Sequence, residues 1–66
     1  METKNYYIIA NRDLPEKSGV SLLHWAGGPV GTQVQFFGDA LTLEQVEVIR
    51  STPGVKICNE TDEEPS

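Results

Sequence analysis

The most specific folding signal in the sequence is a helix with a marked beginning and end. Thr42 is a favourable N-cap residue, and Gln45 follows it at the spacing of a capping box. Pro53-Gly54 cannot continue a helix and is typical of a tight turn. The pattern therefore predicts a helix from about Leu43 to Ser51.

Three segments around this helix have the composition of β-strands. Residues 6–10 are aromatic and aliphatic, which predicts a strand with both faces covered. Residues 32–37 alternate polar and apolar side chains, which predicts a strand with one buried face. Residues 55–58 predict a last short strand with Val55 and Ile57 on the same face. Gly38-Asp39 is expected to turn the chain before the helix.

The region between the first two strands is ambiguous. Residues 11–15 are expected to be a turn or loop. Residues 18–31 fit either a short helix ending at Gly27-Gly28 or a strand followed by a glycine-rich hairpin. We favour the short helix, across residues 19–26. Both alternatives predict an α+β fold, a small ferredoxin-like sheet with one or two helices on one face.

The chain is expected to be one domain with polar ends. Sixty-six residues bury only about 60% of the surface exposed by the unfolded chain, so the stability should be low. Residues 1–4 are expected to fray, residues 5–58 to form the domain, and residues 59–66 to be an acidic disordered tail.

The charge of the chain and its N-terminal residues narrow the partners and the location to be expected for the protein. The net charge is −5, and the five basic residues are scattered, which argues against direct binding of nucleic acid or of an anionic membrane. Neither a signal peptide nor a membrane-spanning run is recognisable. Together with a single cysteine, this predicts a cytoplasmic protein.

The histidine and cysteine content of the chain does not favour catalysis. His24 and Cys58 are each the only residue of their type, and they lie in separate predicted elements. We therefore expect no catalytic pair, no metal site and no cofactor. Cys58 is expected to be a small buried residue at the end of a strand.

Aromatic residues are the better candidates for contact with a partner. Trp25 borders the glycine-rich segment at residues 27–31, and tryptophan is enriched at binding hot spots, although a core position is the expectation for it. Tyr6 and Tyr7 must point to opposite sides of their strand, so one of them should lie on a face that could be open, near Phe37.

The second half of the chain resembles a known family. Residues 37–56 read FGDALTLEQVEVIRSTPGVK, an aromatic strand, a Leu-Thr helix start, an aliphatic–Arg helix end and a Pro-Gly-Val turn into a strand. This is similar to the subtilisin propeptides and propeptide-like protease inhibitors. Residues 6–9 look like the first strand of that family, and Gly27-Gly28 like the pair that follows its first helix.

The resemblance implies a non-enzymatic inhibitor of a subtilisin-like serine protease. It implies a ferredoxin-like domain that docks its sheet on the protease and lays its C-terminal segment along the substrate cleft. The candidate partner-binding residues are then Ile57, Cys58, Asn59, Glu60 and Thr61, joined by Trp25 and Phe37.

Two other interpretations stay open. A small acidic protein can act as an antagonist or adaptor of a cytosolic host enzyme, as phage-type proteins do. An enzyme completed by a cofactor or by a second subunit ranks last. A homodimer through an exposed strand edge is compatible with the first two interpretations.

Overall fold

The computed structural model describes residues 2–25 and 27–63 and contains one sheet and two helices. The strands are β1 (Lys4–Ala10), β2 (Leu23–His24), β3 (Val34–Leu41) and β4 (Val55–Glu60); the helices are α1 (Leu14–Ser18) and α2 (Leu43–Ser51). The sheet order is β2-β3-β1-β4, and all neighbouring strands are antiparallel. The predicted α+β class is confirmed.

Helix α2 begins and ends where the sequence predicts. The backbone N–H of Gln45 donates to Thr42 Oγ1 at 3.3 Å, and the backbone N–H of Thr42 donates to the side-chain Oε1 of Gln45 at 2.9 Å. These two bonds complete the capping box. After Pro53, Gly54 turns the chain with a φ of 94°, a conformation that residues with a Cβ rarely adopt.

The first helix lies earlier than predicted. α1 occupies Leu14–Ser18, which overlaps the expected loop, and the chain between Ser18 and Trp25 contains the short strand β2 instead of the expected helix. Pro15 in the first turn and Gly19 in the left-handed conformation delimit α1. Only Leu14 of this helix is buried, so the five-residue helix shows no hydrophobic periodicity that sequence analysis could detect.

The hydrophobic core lies between the sheet and the two helices. Phe36 and Ile8 are fully buried at the centre of the sheet. Leu14 from α1 and Val46 and Ile49 from α2 cover them. The other buried members of this core are Tyr6, Ala10, Val20, Leu41 and Cys58. Both helices therefore pack on one face of the sheet and leave the other face uncovered by helix.

Strand β3 is shifted toward the C-terminus relative to the prediction. Gly38-Asp39 was expected to turn the chain but lies within β3, which continues to Leu41. The register between β1 and β3 changes after the pair Tyr6↔Gly38, so an irregularity rather than a turn accommodates these residues.

Strand β4 differs from the prediction in length and in the orientation of its side chains. It includes Asn59 and Glu60, which were assigned to the tail; residues 64–66 of that tail lie outside the described residues. The register skips one residue at Lys56, so Val55 pairs with Ala10 on the helix side and Ile57 pairs with Ile9 on the other face. Val55 and Ile57 thus lie on opposite faces, because a bulge breaks the two-residue period.

Candidate functional site

Two neighbouring rows of side chains lie on the face of the sheet opposite the helices, and we call these two rows the open face. Residues directly opposite each other in antiparallel strands share a face. The strand registers and the 2.9 Å hydrogen bond from the Trp25 N–H to the Gln35 carbonyl define these rows. They run from β2 to β4 as Leu23–Phe37–Tyr7–Asn59 and Trp25–Gln35–Ile9–Ile57.

Three aromatic rings meet at the β2 side of the open face. The Trp25 ring lies 5.0 Å from the Tyr7 ring in an edge-to-face arrangement and 5.6 Å from the Phe37 ring. Such contacts between aromatic rings add about 0.5–1.5 kcal/mol to the burial of their surface. Trp25 is half-buried here and is not part of the hydrophobic core, so the expectation of a core position was wrong.

A chain of hydrogen bonds fixes the glycine-rich segment to the open face. The Tyr7 hydroxyl donates to Gln35 Oε1, and Gln35 Nε2 donates to the Gly28 carbonyl at 2.6 Å. A Cβ at Gly27 would lie only 2.7 Å from Gln35 Nε2, so the backbone approaches this side chain closely. The polar atoms of Gln35 are thus satisfied, and the aromatic cluster is held in one arrangement.

None of the residues in the two rows carries a charge, although 23% of the chain is charged. Charged side chains are depleted and aromatic side chains enriched at the centres of protein–protein interfaces. Surfaces that bind single-stranded nucleic acid by stacking combine aromatic rings with basic side chains, which these rows lack. The two rows thus combine aromatic side chains with an absence of charge.

The structure brings four of the sequence-predicted partner-binding residues together. Trp25, Phe37, Ile57 and Asn59 all lie in the two rows. Phe37 is 3% exposed and so contributes mainly to the floor of this surface.

Of the other three predicted residues, Cys58 and Glu60 lie on the helix side of the sheet, and Thr61 follows the two rows beyond the end of β4. Cys58 is 7% exposed and belongs to the core on the helix side. Glu60 pairs with Tyr6 and forms an ion pair with Lys4. The Thr61 N–H donates to the Asn5 carbonyl at 2.9 Å, so Thr61 is the first residue after β4.

Helix α2 covers part of the free edge of β4. The hydrogen bond from Thr61 to Asn5 marks a hydrogen-bonded pair, and such pairs alternate along antiparallel strands, so Cys58 has its N–H and C=O directed away from β1. Arg50 Nη2 donates to that carbonyl at 2.9 Å. Burial raises the pKa of the Cys58 thiol, and the nearby guanidinium of Arg50 opposes this shift more weakly.

The structure separates the two residues that sequence analysis considered as a catalytic pair. His24 and Cys58 end the row His24–Phe36–Ile8–Cys58 on the helix side of the sheet. Three strand spacings separate them, roughly 14 Å. Within residues 2–25 and 27–63, no group of three or more His, Cys, Asp or Glu side chains could hold a metal ion.

Four members of the open face were not among the predicted partner-binding residues: Tyr7, Ile9, Leu23 and Gln35. Strand alternation did place Gln35 and Phe37 on one face and left open which tyrosine accompanied them; the structure shows that it is Tyr7. Ile9 and Leu23 carried no usable signal, since Ile9 lies in a strand that is apolar on both sides and Leu23 lies in the ambiguous segment.

No protein-family model, curated protein or solved structure matches this chain. No helix in the described part of the chain is long and apolar enough to cross a membrane.

Proposed function

We propose that this chain is a non-enzymatic protein-binding domain that docks a partner protein on the open face. The observation that carries the proposal is the absence of charge from two complete rows of side chains in a chain of net charge −5. Phe37 and Ile9 are buried within these rows, whereas Leu23 is 52% exposed and Tyr7, Trp25 and Ile57 are half-buried. This remaining apolar surface stays in water at a cost unless a partner covers it.

Within this class, we propose inhibition of a subtilisin-like serine protease. The resemblance over residues 37–56 supports it, and so does the α+β fold with both helices on one face. Because β4 holds residues 57–60 in the sheet, the segment proposed to enter the protease cleft begins at Thr61. Ile57 and Asn59 then act through the open face rather than through the cleft.

The test is a titration of the purified chain into a panel of subtilisin-like proteases, with hydrolysis of a fluorogenic peptide as the readout. The full chain and a version ending at Glu60 are compared, since the shorter chain retains β4. Inhibition by the full chain that weakens at least about tenfold in the shorter one, or about 1.4 kcal/mol, supports a cleft-binding segment. No inhibition at micromolar concentration by either chain would reject the inhibitor proposal.

A matched pair of substitutions tests the open face itself. Leu23→Glu adds a charge to the open face at a side chain that is 52% exposed, and Val48→Glu makes the same kind of change at a 43% exposed residue of α2. Leu23→Glu should weaken partner binding roughly tenfold or more, since it places a charge in an apolar interface. Equal binding by the two variants would locate the interface elsewhere.

The alternative function is antagonism of a cytosolic enzyme with a basic surface. The observation that favours it is the exposure of Glu44 and Glu47 on the outer side of α2. Binding of this kind should weaken steeply with salt, because exposed charges attract over a Debye length of only about 8 Å at physiological ionic strength. Binding through the uncharged open face should change little with salt.

A further inference from the structure

A concave surface opens on the helix side of the sheet, where β1 begins and α2 starts. It has a volume of about 370 Å³, within the range of ligand-binding clefts. Tyr6 and Leu41 form its floor, and both belong to the hydrophobic core. We call this surface the terminal groove.

One wall of the terminal groove is an exposed leucine. Leu43, the first residue of α2, is 67% exposed, more than any other large hydrophobic residue in the described chain. Its side chain adds apolar surface next to the floor of the groove. Tyr6 and Leu41 are already buried, so Leu43 supplies most of the apolar surface that a partner side chain seated there would cover. Burial of that surface favours binding.

The rim of the terminal groove is acidic. Glu2, Glu44 and Glu60 line it, and among the described residues of its lining Lys4 is the only basic one. Lys4 Nζ lies 3.2 Å from Glu60 Oε1, with both side chains about half exposed. Because exposed ion pairs are weak, a cation on a ligand can compete with Lys4 for Glu60 and interact with the other two carboxylates.

An anionic ligand fits the terminal groove less well. The first turn of a helix attracts anions through its unpaired N–H groups. In α2, the side chains of Thr42 and Gln45 already form the capping box at that position. Three carboxylates on the rim would also repel an anion, so the electrostatics of the groove favour a cation.

We propose that the terminal groove binds a peptide segment in which Lys or Arg adjoins a large aliphatic residue. The aliphatic side chain packs against Leu43 and the floor, and the cation lies among the rim carboxylates. This site lies on the opposite side of the sheet from the open face, and the proposal stands whether or not the open face binds a protease.

The test is a titration of the ¹⁵N-labelled full chain with the peptide Gly-Lys-Leu-Arg-Gly, blocked at both ends. The amide chemical shifts of the protein report binding. The expected result is a Kd on the order of 1 mM or tighter. Shift changes should centre on Lys4, Thr42 and Leu43 and decrease with added salt. Two matched peptides, with Glu in place of Lys and Arg or with Ser in place of Leu, should bind at least about tenfold more weakly.

Variants of the chain separate the two contributions to binding. Leu43→Ser should weaken binding about tenfold, since it removes the exposed apolar wall. The double variant Glu2→Gln/Glu44→Gln should weaken binding and reduce its salt dependence. The control Glu47→Gln/Val48→Ser replaces one glutamate and one exposed aliphatic residue of α2. Both lie outside the terminal groove, so this variant should bind as the wild type does.

Three outcomes would overturn the proposal. They are shift changes confined to the open face, equal binding of the acidic peptide, and Leu43→Ser binding as tightly as the control variant. None of these measurements depends on protease inhibition, so failure here and failure of the proposed function are distinguishable.

Discussion

At the residue scale, Cys58 shows how position controls the chemistry of a side chain. The thiol lies in the core on the helix side of β4 and is 7% exposed. Burial disfavours the thiolate, which raises the pKa of Cys58 above its ordinary value. The expected burial of Cys58 is confirmed, but β4 continues to Glu60, so Cys58 lies within the strand and not at its end.

The raised pKa of Cys58 predicts a loss of stability at alkaline pH. Above the unfolded-state pKa of about 8.5, the unfolded chain releases the thiol proton while the folded chain retains it, so stability falls as pH rises. The free energy of unfolding, measured with urea at pH 7.5 and pH 10, should decrease more for the wild type than for Cys58→Ala. Lys4, whose pKa is raised mainly by its hydrogen bond to Glu60, is present in both proteins, so its contribution cancels. Equal decreases would contradict the prediction.

The backbone conformations of two residues predict that substituting them changes the free energy of unfolding in opposite directions. Ala40 has a φ of 53° in the irregular part of β3, a conformation that costs roughly 1–2 kcal/mol for a residue with a Cβ. Ala40→Gly should therefore raise the free energy of unfolding by about 0.5–1 kcal/mol, after the greater entropy of glycine in the unfolded chain is allowed for.

Gly54→Ala is the matching substitution. It places a Cβ at a φ of 94° and against the side chain of Asn11, so it should destabilise the fold by more than about 1 kcal/mol. Urea denaturation measures both effects, and changes of the same sign in the two variants would refute this account.

At the scale of the elements, the two edges of the sheet are protected in different ways. β2 is only two residues long, so it offers little unpaired backbone. β4 is longer, and Arg50 from α2 covers its outward carbonyl at Cys58. The sequence was compatible with a homodimer through an exposed strand edge. If that edge is β4, dimerisation would have to displace the Arg50 side chain.

Removal of the Arg50 side chain should expose the β4 edge. Arg50→Ala frees the Cys58 carbonyl and should lower the stability by about 1 kcal/mol while increasing self-association. Sedimentation velocity across a range of protein concentrations measures the association. Lys17→Ala is the control, since it removes an exposed cation whose ion pair lies within α1 and its cap. Identical sedimentation of the two variants would show that Arg50 does not protect the edge.

At the scale of the whole molecule, the fold depends on one small core. A chain of 66 residues is expected to have a free energy of unfolding of roughly 3–10 kcal/mol from the per-residue range. Phe36 is fully buried at the centre of this core, on the same face as Ile8 and beneath both helices. A single cavity there can therefore remove most of the stability.

Phe36→Ala should lower the free energy of unfolding by about 3–5 kcal/mol, which equals the whole stability only at the lower end of the expected range. Phe36→Leu keeps most of the volume and should cost clearly less. Circular dichroism during thermal unfolding measures both variants, with Leu23→Ala on the open face as the control, expected within about 0.5 kcal/mol of the wild type. A Phe36→Ala protein as stable as the control would place the core elsewhere.

Elements marked by residues that are close together along the chain could be predicted from the amino-acid order alone. Helix α2 could be predicted to the residue because Thr42, Gln45 and Pro53-Gly54 act within a few positions of each other. The α+β class followed from the strand composition on either side of it. Helix α1 could not be found in the same way, because a single buried leucine leaves no periodicity and its position depends on the packing of Leu14 in the core.

Which side chains share a surface could be seen only in the tertiary structure. The registers of four strands set Tyr7, Trp25 and Phe37 side by side, and these residues lie far apart in the sequence. The bulge at Lys56 turned Ile57 to the open face and left Val55 at the core, against the simple alternation. The physical reason is that strand pairing is a long-range choice made by the packing of the core, whereas helix caps and turns are formed by neighbouring residues.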